Sequence, residues 1–282
     1  EILKSENYKV NLKWYYMKQK TPFIITLLGV AVLALFTMCG NSAPSQEQQQ
    51  GEEPAAETQT QEMNTLTEAE KAEGWALLFD GKSLENWRKY GGDTIGTSWK
   101  IQDGAIYLDA QKDPKGGWQT PDGGDITTDG VYGDFELKLE WKIDSCGNSG
   151  VIYRAVESDK YNYAWETGPE MQVLDNTCHP DAKIVKHRAG DFYDVVSGSP
   201  ENVKPAGEWN SIRIIAQGNH VEHWQNGEKI VEVEMGTDAW KKLLKNSKWK
   251  DHPDFSTAKE GHIVLQDHGN KVSFRNIKIK KL

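Results

Sequence analysis

Phe135, Leu137, Leu139, Trp141 and Ile143 alternate without a break with Glu136, Lys138, Glu140 and Lys142. A period of two puts every apolar side chain on one face of an extended strand and every charge on the other. Such a strand must bury its apolar face against a second layer, which the rest of the chain has to provide. What it provides is more β structure. Asp103-Gly104 lies inside Trp99 to Leu108, and Asn226-Gly227 lies inside Val221 to Met235. Both dipeptides are strong signals for tight hairpin turns. Trp209 to Ala216, His262 to Gln266 and Lys271 to Ile279 read as further strands. Helical signals are few. Thr67-Glu68-Ala69-Glu70 has the form of a capping box with Gly74 after it, and Asp238 to Lys245 sets Trp240, Leu243 and Leu244 on one face. Many short strands with no strand–helix alternation predict an all-β, two-sheet antiparallel sandwich, with a short N-terminal helix and one short later helix.

The N-terminal quarter is expected to be processing sequence and tether. Residues 1–16 fit no export pattern and read as lying upstream of the native start at Met17. Lys18 and Lys20 then precede an apolar run from Phe23 to Met38. The run is short for a spanning helix, which needs ~20 apolar residues, and has the form of a secretory signal over residues 17–38. Cys39 stands where a bacterial lipoprotein is cut and lipidated, behind a loose version of the site in Phe36-Thr37-Met38. The alternative is a plain signal peptide with an incidental cysteine. Residues 39–65 are rich in Gln, Glu, Ser and Pro and have no aromatic residue, so they read as a disordered tether. The globular domain is expected over residues 66–282. This organisation implies a lipid-anchored protein of the cell envelope, on the periplasmic face of the outer membrane or at the cell surface.

A net charge of −9, with no basic cluster interleaved with aromatics, argues against a nucleic acid partner. Eleven tryptophans are more than a core of this size requires, and planar side chains on a groove stack against sugar rings. Cys146 and Cys178 remain once Cys39 is assigned to lipid. In an exported protein they either pair or stay as buried thiols.

Glu170-Met171-Gln172-Val173-Leu174-Asp175 carries the strongest sign of a site. Met171 and Val173 face one way, Glu170 and Gln172 the other, among neighbours so apolar that the polar face is expected to line a ligand groove. Asp175 would join Glu170 on that face only if a bulge fell at Val173 or Leu174; otherwise it begins a turn with Asn176. Arg154, at the end of an apolar strand, either pairs with Glu170 or is a surface charge. His179, His187 and His268 lie in loops or at strand ends, with no metal-ligand spacing, and offer groups for proton transfer near neutral pH. Strand alternation places Gln266 and His268 on one face, with His262 and Val264. Gly91-Gly92 and Gly123-Gly124 read as loop glycines only. The long segments Gln111 to Tyr132 and Asn176 to Pro205 are expected to wall the groove.

Taken in order, several motifs resemble the 3-keto-disaccharide hydrolase domain family. They are Leu78-Phe79-Asp80-Gly81-Lys82-Ser83-Leu84-Glu85-Asn86-Trp87, Gly147-Asn148-Ser149-Gly150-Val151 and Gly168-Pro169-Glu170-Met171-Gln172-Val173-Leu174-Asp175. Gly207-Glu208-Trp209-Asn210, Asn226-Gly227 and Leu265-Gln266-Asp267-His268-Gly269 leading into Val272-Ser273-Phe274-Arg275-Asn276-Ile277 complete the set. The resemblance implies a concanavalin A-like jelly roll with ligand on the concave face. It also implies hydrolysis of glycosides carrying a ketone at carbon 3, made by a partner oxidoreductase.

A 3-ketone acidifies the hydrogen on carbon 2, so elimination of the carbon 1 group and water addition need only a base, a donor for the enolate oxygen and an acid. Glu170 or His268 is the expected base, Arg154 or Gln172 the enolate donor, and Asp175 or His187 the aid to the leaving group. Gln266, Trp118, Trp165 and Tyr193 complete the expected substrate contacts. A divalent metal would suit the chemistry, but no ligand set demands one and no cofactor is otherwise implied. Two alternatives stand beside this. Laminarinase-like retaining glucanases carry Glu-x-Asp-x-x-Glu on the equivalent strand, where this chain has Glu170, Gln172 and Asp175. A lectin-like carbohydrate-binding module could use the same groove without catalysis.

Overall fold

The computed structural model describes residues 62–113 and 118–282, all within one compact unit, Thr58–Leu282. The expected leader, Cys39 and the tether up to residue 61 lie outside the described residues.

Two antiparallel sheets form the sandwich. The larger runs, edge to edge, Glu228–Glu234, His220–Gln225, Asn210–Gln217, Phe135–Ile143, Val272–Lys281, Ala105–Leu108 and Trp99–Gln102, with Trp75–Leu77 also pairing to Val272–Lys281. The smaller runs Glu170–Leu174, Asn148–Ala155, His262–Leu265, Ile126–Thr128 and Trp87–Lys89. Consecutive strands do not all pair: Phe135–Ile143 sits between Asn210–Gln217 and Val272–Lys281. This is the jelly-roll type of sandwich, and the helices are the two short ones expected, Glu68–Ala72 and Asp238–Lys245. Thr67 and Glu70 close the capping box in both directions, at 3.1 and 3.0 Å. Both tight hairpins form where Asp103-Gly104 and Asn226-Gly227 predict them.

The core lies between the sheets. Leu137, Leu139, Trp141 and Ile143 from the larger sheet meet Val151, Tyr153, Met171, Val173, Ile263 and Leu265 from the smaller one. On the outer face of the larger sheet the charges of the alternating strand form cross-strand pairs. Glu136 accepts from Arg213 at 2.6 Å and lies 3.1 Å from Lys280. Lys138 sits over the Trp75 ring, Arg275 over Trp209 and Arg213 over Trp224. Part of the tryptophan excess therefore serves as cation-covered ring faces on this outer surface rather than as groove lining.

Residues just before 66, where composition predicts a tether, are already part of the fold. Asn64 is buried, exchanging hydrogen bonds with Asn276 at 2.7 and 2.8 Å and donating to the Gly104 carbonyl at 2.8 Å. Its polar side chain makes the segment look solvated, yet that side chain replaces backbone partners at a register shift between Arg275 and Lys278.

Candidate active site

The smaller sheet turns its second face away from the core, and strand alternation decides what stands there. Glu170 and Gln172 point to this face because Met171 and Val173 point into the core. Ile152 and Gly150 lie directly opposite them on the neighbouring strand. One part of the face is covered by a small apolar cluster of Ile152, Ala155, Ala164 and Val264, with Tyr90 and Trp165 packed on it. The remainder is left open as a pocket of about 260 Å³. Its lining is Asn148, Glu170, Gln172 and Gln266 from the sheet and its ends, His268 and Tyr193 from loops, Trp165 from one short 3-10 turn, and Lys248, Trp249 and His252 from another.

Glu170 is buried to 4% exposure, deeper than a half-exposed strand predicts. Gly150 makes this possible: a Cβ there would overlap the Glu170 carboxyl, with its Cδ only 2.7 Å away. The amide of Gln172, with its NH₂ turned toward Glu170, donates to Oε1 at 3.0 Å and to the Ser149 carbonyl at 2.8 Å. Burial pushes the Glu170 carboxyl up to about 8, against the opposing pull of the Lys248 ammonium. Burial lowers Lys248 in turn, while Glu170, Asp194 and Asp181 hold its proton on. The Lys248 ammonium lies 4.0 Å from the centre of the Tyr193 ring and 4.5 Å from that of Trp249.

Several ties hold these groups in place. Residues 190–193 run along the outer edge of the Glu170 strand: Gly190 donates to the Gln172 carbonyl at 2.8 Å, and Tyr193 to the Glu170 carbonyl at 3.0 Å. This covers a free sheet edge and sets Tyr193 over the pocket. Asp194 accepts from the Lys248 backbone at 2.5 Å and from His187 Nε2 at 2.9 Å, and the Trp249 indole donates to the Tyr193 carbonyl at 3.1 Å. Asp267, between Gln266 and His268, accepts from Thr120 at 2.6 Å and from the Gly124 backbone at 2.7 Å. A Cβ on Gly123 would overlap that carboxylate, so Gly123-Gly124 admits an anchor beside the pocket and is more than a spacer.

The structure thus brings together Glu170, Gln172, Gln266, His268, Trp165 and Tyr193 of the expected set. It sends others elsewhere. The register between Glu170–Leu174 and Asn148–Ala155 is regular, so the bulge needed to turn Asp175 toward Glu170 is absent. Asp175 instead accepts from the Cys146 backbone at 2.8 Å and from the Thr177 hydroxyl at 2.6 Å, beside the Cys146–Cys178 disulfide. Partial burial alone would raise its carboxyl, but these hydrogen bonds outweigh it and hold the group below the usual carboxylate range. Arg154 does not pair with Glu170. It is fully buried, donating to the Gly133 and Gly218 carbonyls at 2.9 and 2.8 Å and lying 3.3 Å from Asp134, where it ties two turns together. His187 stands behind Tyr193, ring centres 4.4 Å apart, and supports the wall rather than facing the pocket. Trp118 lies in the strand Trp118–Gln119, and its side chain lies outside the described residues. Of the two long segments expected as walls, only residues 176–205 contribute a lining residue, Tyr193, among the described residues. Sequence reasoning misses Lys248, Trp249, His252 and Asn148. The first three follow a short helix in a stretch with no motif, though Asn148 stands in Gly147-Asn148-Ser149-Gly150, opposite the Glu170 strand.

Among the described residues, three-donor groupings suited to a metal occur at Cys146, Asp175 and Cys178, where the thiols form the disulfide, and at His220, Glu222 and Glu232. Neither belongs to the pocket. Within the pocket Glu170 is the sole carboxylate among the described lining residues, next to a cation, three side-chain amides and two histidines. This set can take up and return a proton beside a group that becomes negative. Gln266 Oε1 is buried without a hydrogen-bond partner, an acceptor left for a hydroxyl.

Comparison with known proteins gives a consistent picture. Residues 74–280 match the family described as the 3-keto-alpha-glucoside-1,2-lyase-like domain. A 3-keto-disaccharide hydrolase of Bacteroides thetaiotaomicron is 35% identical over 280 residues, an alignment spanning 90% of this chain and 96% of the relative. A solved structure from Parabacteroides distasonis, named "putative glycosyl hydrolase", superimposes with a TM-score of 0.70 at 36% identity, covering 78% of this chain and all of that one. A second structure from that organism, under the same name, gives 0.54 at 27% identity over 74% of this chain and 99% of its own.

Proposed function

Because the chain belongs to the 3-keto-disaccharide hydrolase family and is a glycoside hydrolase, we propose that it cleaves 3-keto-glycosides by elimination followed by hydration, with Glu170 moving the proton at carbon 2. The observation that carries this reading is the state of the pocket's lone carboxylate. Glu170 is buried, its proton affinity is raised into the working range of a general base and acid, and a cation lies within its electrostatic reach.

The steps balance without any other reactant than water. The ionised Glu170 removes the carbon 2 proton, and the electron pair moves toward the carbon 3 oxygen. The Lys248 ammonium and the amide donors of the pocket stabilise the enolate that forms, in a site where low polarity strengthens them. The enolate then re-forms the ketone as the bond from carbon 1 to the leaving oxygen breaks, and His268 supplies the proton that oxygen needs. Water adds to carbon 1 of the resulting enone, giving up a proton that restores His268, and Glu170 returns its proton to carbon 2. A group that holds its proton up to about 8 suits both halves, as acceptor in the first and donor in the second. Gln266 Oε1 takes a sugar hydroxyl. The ketone itself must come from an oxidation at carbon 3 by a sugar oxidoreductase.

The placement of Asp175 speaks against a double displacement at an ordinary glycoside. That mechanism needs a second carboxyl ~5 Å from the first, and Asp175, the sequence's candidate, is bound to Cys146 and Thr177 instead. The test pairs plain and 3-keto forms of one glycoside with the wild type and Glu170→Gln. The wild type should release the aglycone from the keto form alone, and the variant should lose at least ~10²-fold in kcat while still binding. Release from the plain glycoside would overturn the reading, and so would a variant that turns over the keto form at the wild-type rate. Loss of turnover with retained binding also separates an enzyme from a carbohydrate-binding module.

A further inference from the structure

Trp165 is half-buried in the pocket wall, and its other neighbours have no part in the proposed chemistry. Phe255, Trp249, Trp165 and Tyr163 form a continuous run of ring contacts. Trp249 stacks on Phe255 with centroids 4.2 Å apart, Trp165 is tilted against Trp249 at 5.9 Å, and Tyr163 stacks on Trp165 at 5.3 Å with ring planes 9° apart. The run begins in the core, where Phe255 and Trp249 are 2% and 3% exposed, and ends in solvent with Tyr163 at 56%. Tyr163 is one of few large apolar side chains left exposed among the described residues. A lone exposed ring needs no explanation, but this one extends the wall of a ligand pocket outward.

Its backbone is also held. The Tyr163 N–H donates to Glu166 Oε2 at 2.8 Å, and its carbonyl accepts from the Glu166 backbone at 3.1 Å. One ring face is taken up by Trp165, and the exposure shows that the side chain is otherwise open to solvent. An aromatic surface fixed in advance costs little ordering when a ligand lies on it. The pocket volume of about 260 Å³ is below the range of ~300–1,000 Å³ usual for ligand sites. It is suited to one sugar ring, so a second ring has to lie outside it.

We propose that Tyr163, with Trp165, forms a platform for the leaving half of the substrate, a pyranose ring joined through the oxygen on carbon 1 of the ketosugar. This rests on the reaction proposed above and adds the residues that select the leaving half, favouring a ring-bearing leaving group over a small one. The apolar face of the pyranose covers the open aromatic surface, while the ketosugar stays below Trp165 with Glu170 and Lys248.

The experiment compares a 3-keto-disaccharide with the methyl 3-keto-glycoside of the same ketosugar. Both are assayed for kcat and KM on the full chain, in the wild type, Tyr163→Ala and Tyr163→Phe. The wild type should favour the disaccharide in kcat/KM. Tyr163→Ala should lower that preference about tenfold, mostly through KM, as expected for loss of one ring-stacking contact. Tyr163→Phe should keep it, because the ring and not the hydroxyl provides the surface. Equal losses on both substrates would assign Tyr163 a packing role and overturn the proposal, as would a wild type with no preference. Dissociation constants of the two keto compounds on Glu170→Gln, with and without Tyr163→Ala, read the platform independently of turnover. If neither compound is cleaved by the wild type the reaction fails, and the platform stands or falls on that binding difference.

Discussion

Glu170 is placed where an ionised side chain is least welcome, and the consequence can be measured apart from catalysis. In the unfolded chain this carboxyl ionises near its ordinary 4.5, whereas in the fold burial keeps its proton on up to about 8. Between these values the folded form binds more protons than the unfolded form, so this residue's contribution to stability is present below 4.5 and is lost as pH rises toward 8. Glu170→Gln keeps the shape and the hydrogen-bonding capacity and removes the ionisation. The variant should be more stable than the wild type at pH 8 by about 1–3 kcal/mol, a rise of roughly 3–10 °C in Tm. The gain should shrink toward pH 4.5 while turnover is lost at every pH. Thermal unfolding of the two proteins across that range decides it. Equal melting temperatures at pH 8 would mean that Lys248 fully offsets the buried charge, leaving Glu170 ionised throughout. Stability given up at one buried group is what a site selected for proton transfer should show.

The strand, turn and helix signals lie in consecutive residues, and that is why the sequence alone makes them legible. Alternation through Phe135–Ile143, the Asp-Gly and Asn-Gly hairpins and the Thr67 capping box each need only local chemistry. Even the facing of Glu170 and Gln172 follows from Met171 and Val173 between them. What is illegible depends on pairing across long sequence separations. Asp175 can reach the groove only through a bulge, but bulges are set by the partner strand, and the register against Asn148–Ala155 is regular. Lys248 reaches the pocket because Asp194 holds its backbone and the Trp249 indole bonds the Tyr193 carbonyl, contacts spanning more than fifty residues. The Cys146–Cys178 disulfide belongs to the same class, since two cysteines distant in sequence permit a bond without requiring it. It closes a 32-residue separation and clamps the turn before Asn148–Ala155 to the segment after Glu170–Leu174, the two strands that carry the pocket's polar floor. Loop-closure entropy for that length corresponds to about 3–4 kcal/mol. Replacing both cysteines by Ala should lower unfolding free energy by about that amount in denaturant titrations under non-reducing conditions. A loss below ~1 kcal/mol would show that Asp175 and the strand pairing hold this corner without the bond.

A polar contact joins the two sheets across the core beside the apolar packing. Tyr153, from the smaller sheet, meets His223, from the larger, with its hydroxyl 3.0 Å from Nε2, and His223 Nδ1 lies 3.2 Å from the Gly190 carbonyl. A carbonyl only accepts, so Nδ1 carries the proton and Nε2 receives the tyrosine hydroxyl. Burial favours the neutral imidazole that this arrangement uses, lowering His223 to about 4 from its ordinary 6.5. Below 6.5 the unfolded chain takes up a proton that the folded chain refuses until pH 4, so this contact's contribution is complete above 6.5 and is lost as pH falls through that window. The amount is about 3 kcal/mol. Asp125 and Asp191, raised by burial to about 6 and about 7, work in the opposite sense over the same window, because their folded forms hold protons the unfolded chain has released. The wild-type curve alone cannot isolate the histidine for that reason. Replacing both partners, His223→Leu with Tyr153→Phe, removes the titrating ring and its hydroxyl partner together, at the cost of the hydrogen bond to the Gly190 carbonyl. Urea titrations from pH 7 to pH 4 should then show the double variant losing less stability on acidification than the wild type, by about 3 kcal/mol across the window. If both proteins lose stability in parallel, His223 takes up its proton in the fold over the same pH range as in the unfolded chain. The neutral ring would then not be what joins the sheets in acid, and Gly190, which also bonds the Glu170 strand through Gln172, would there be held by a charged ring.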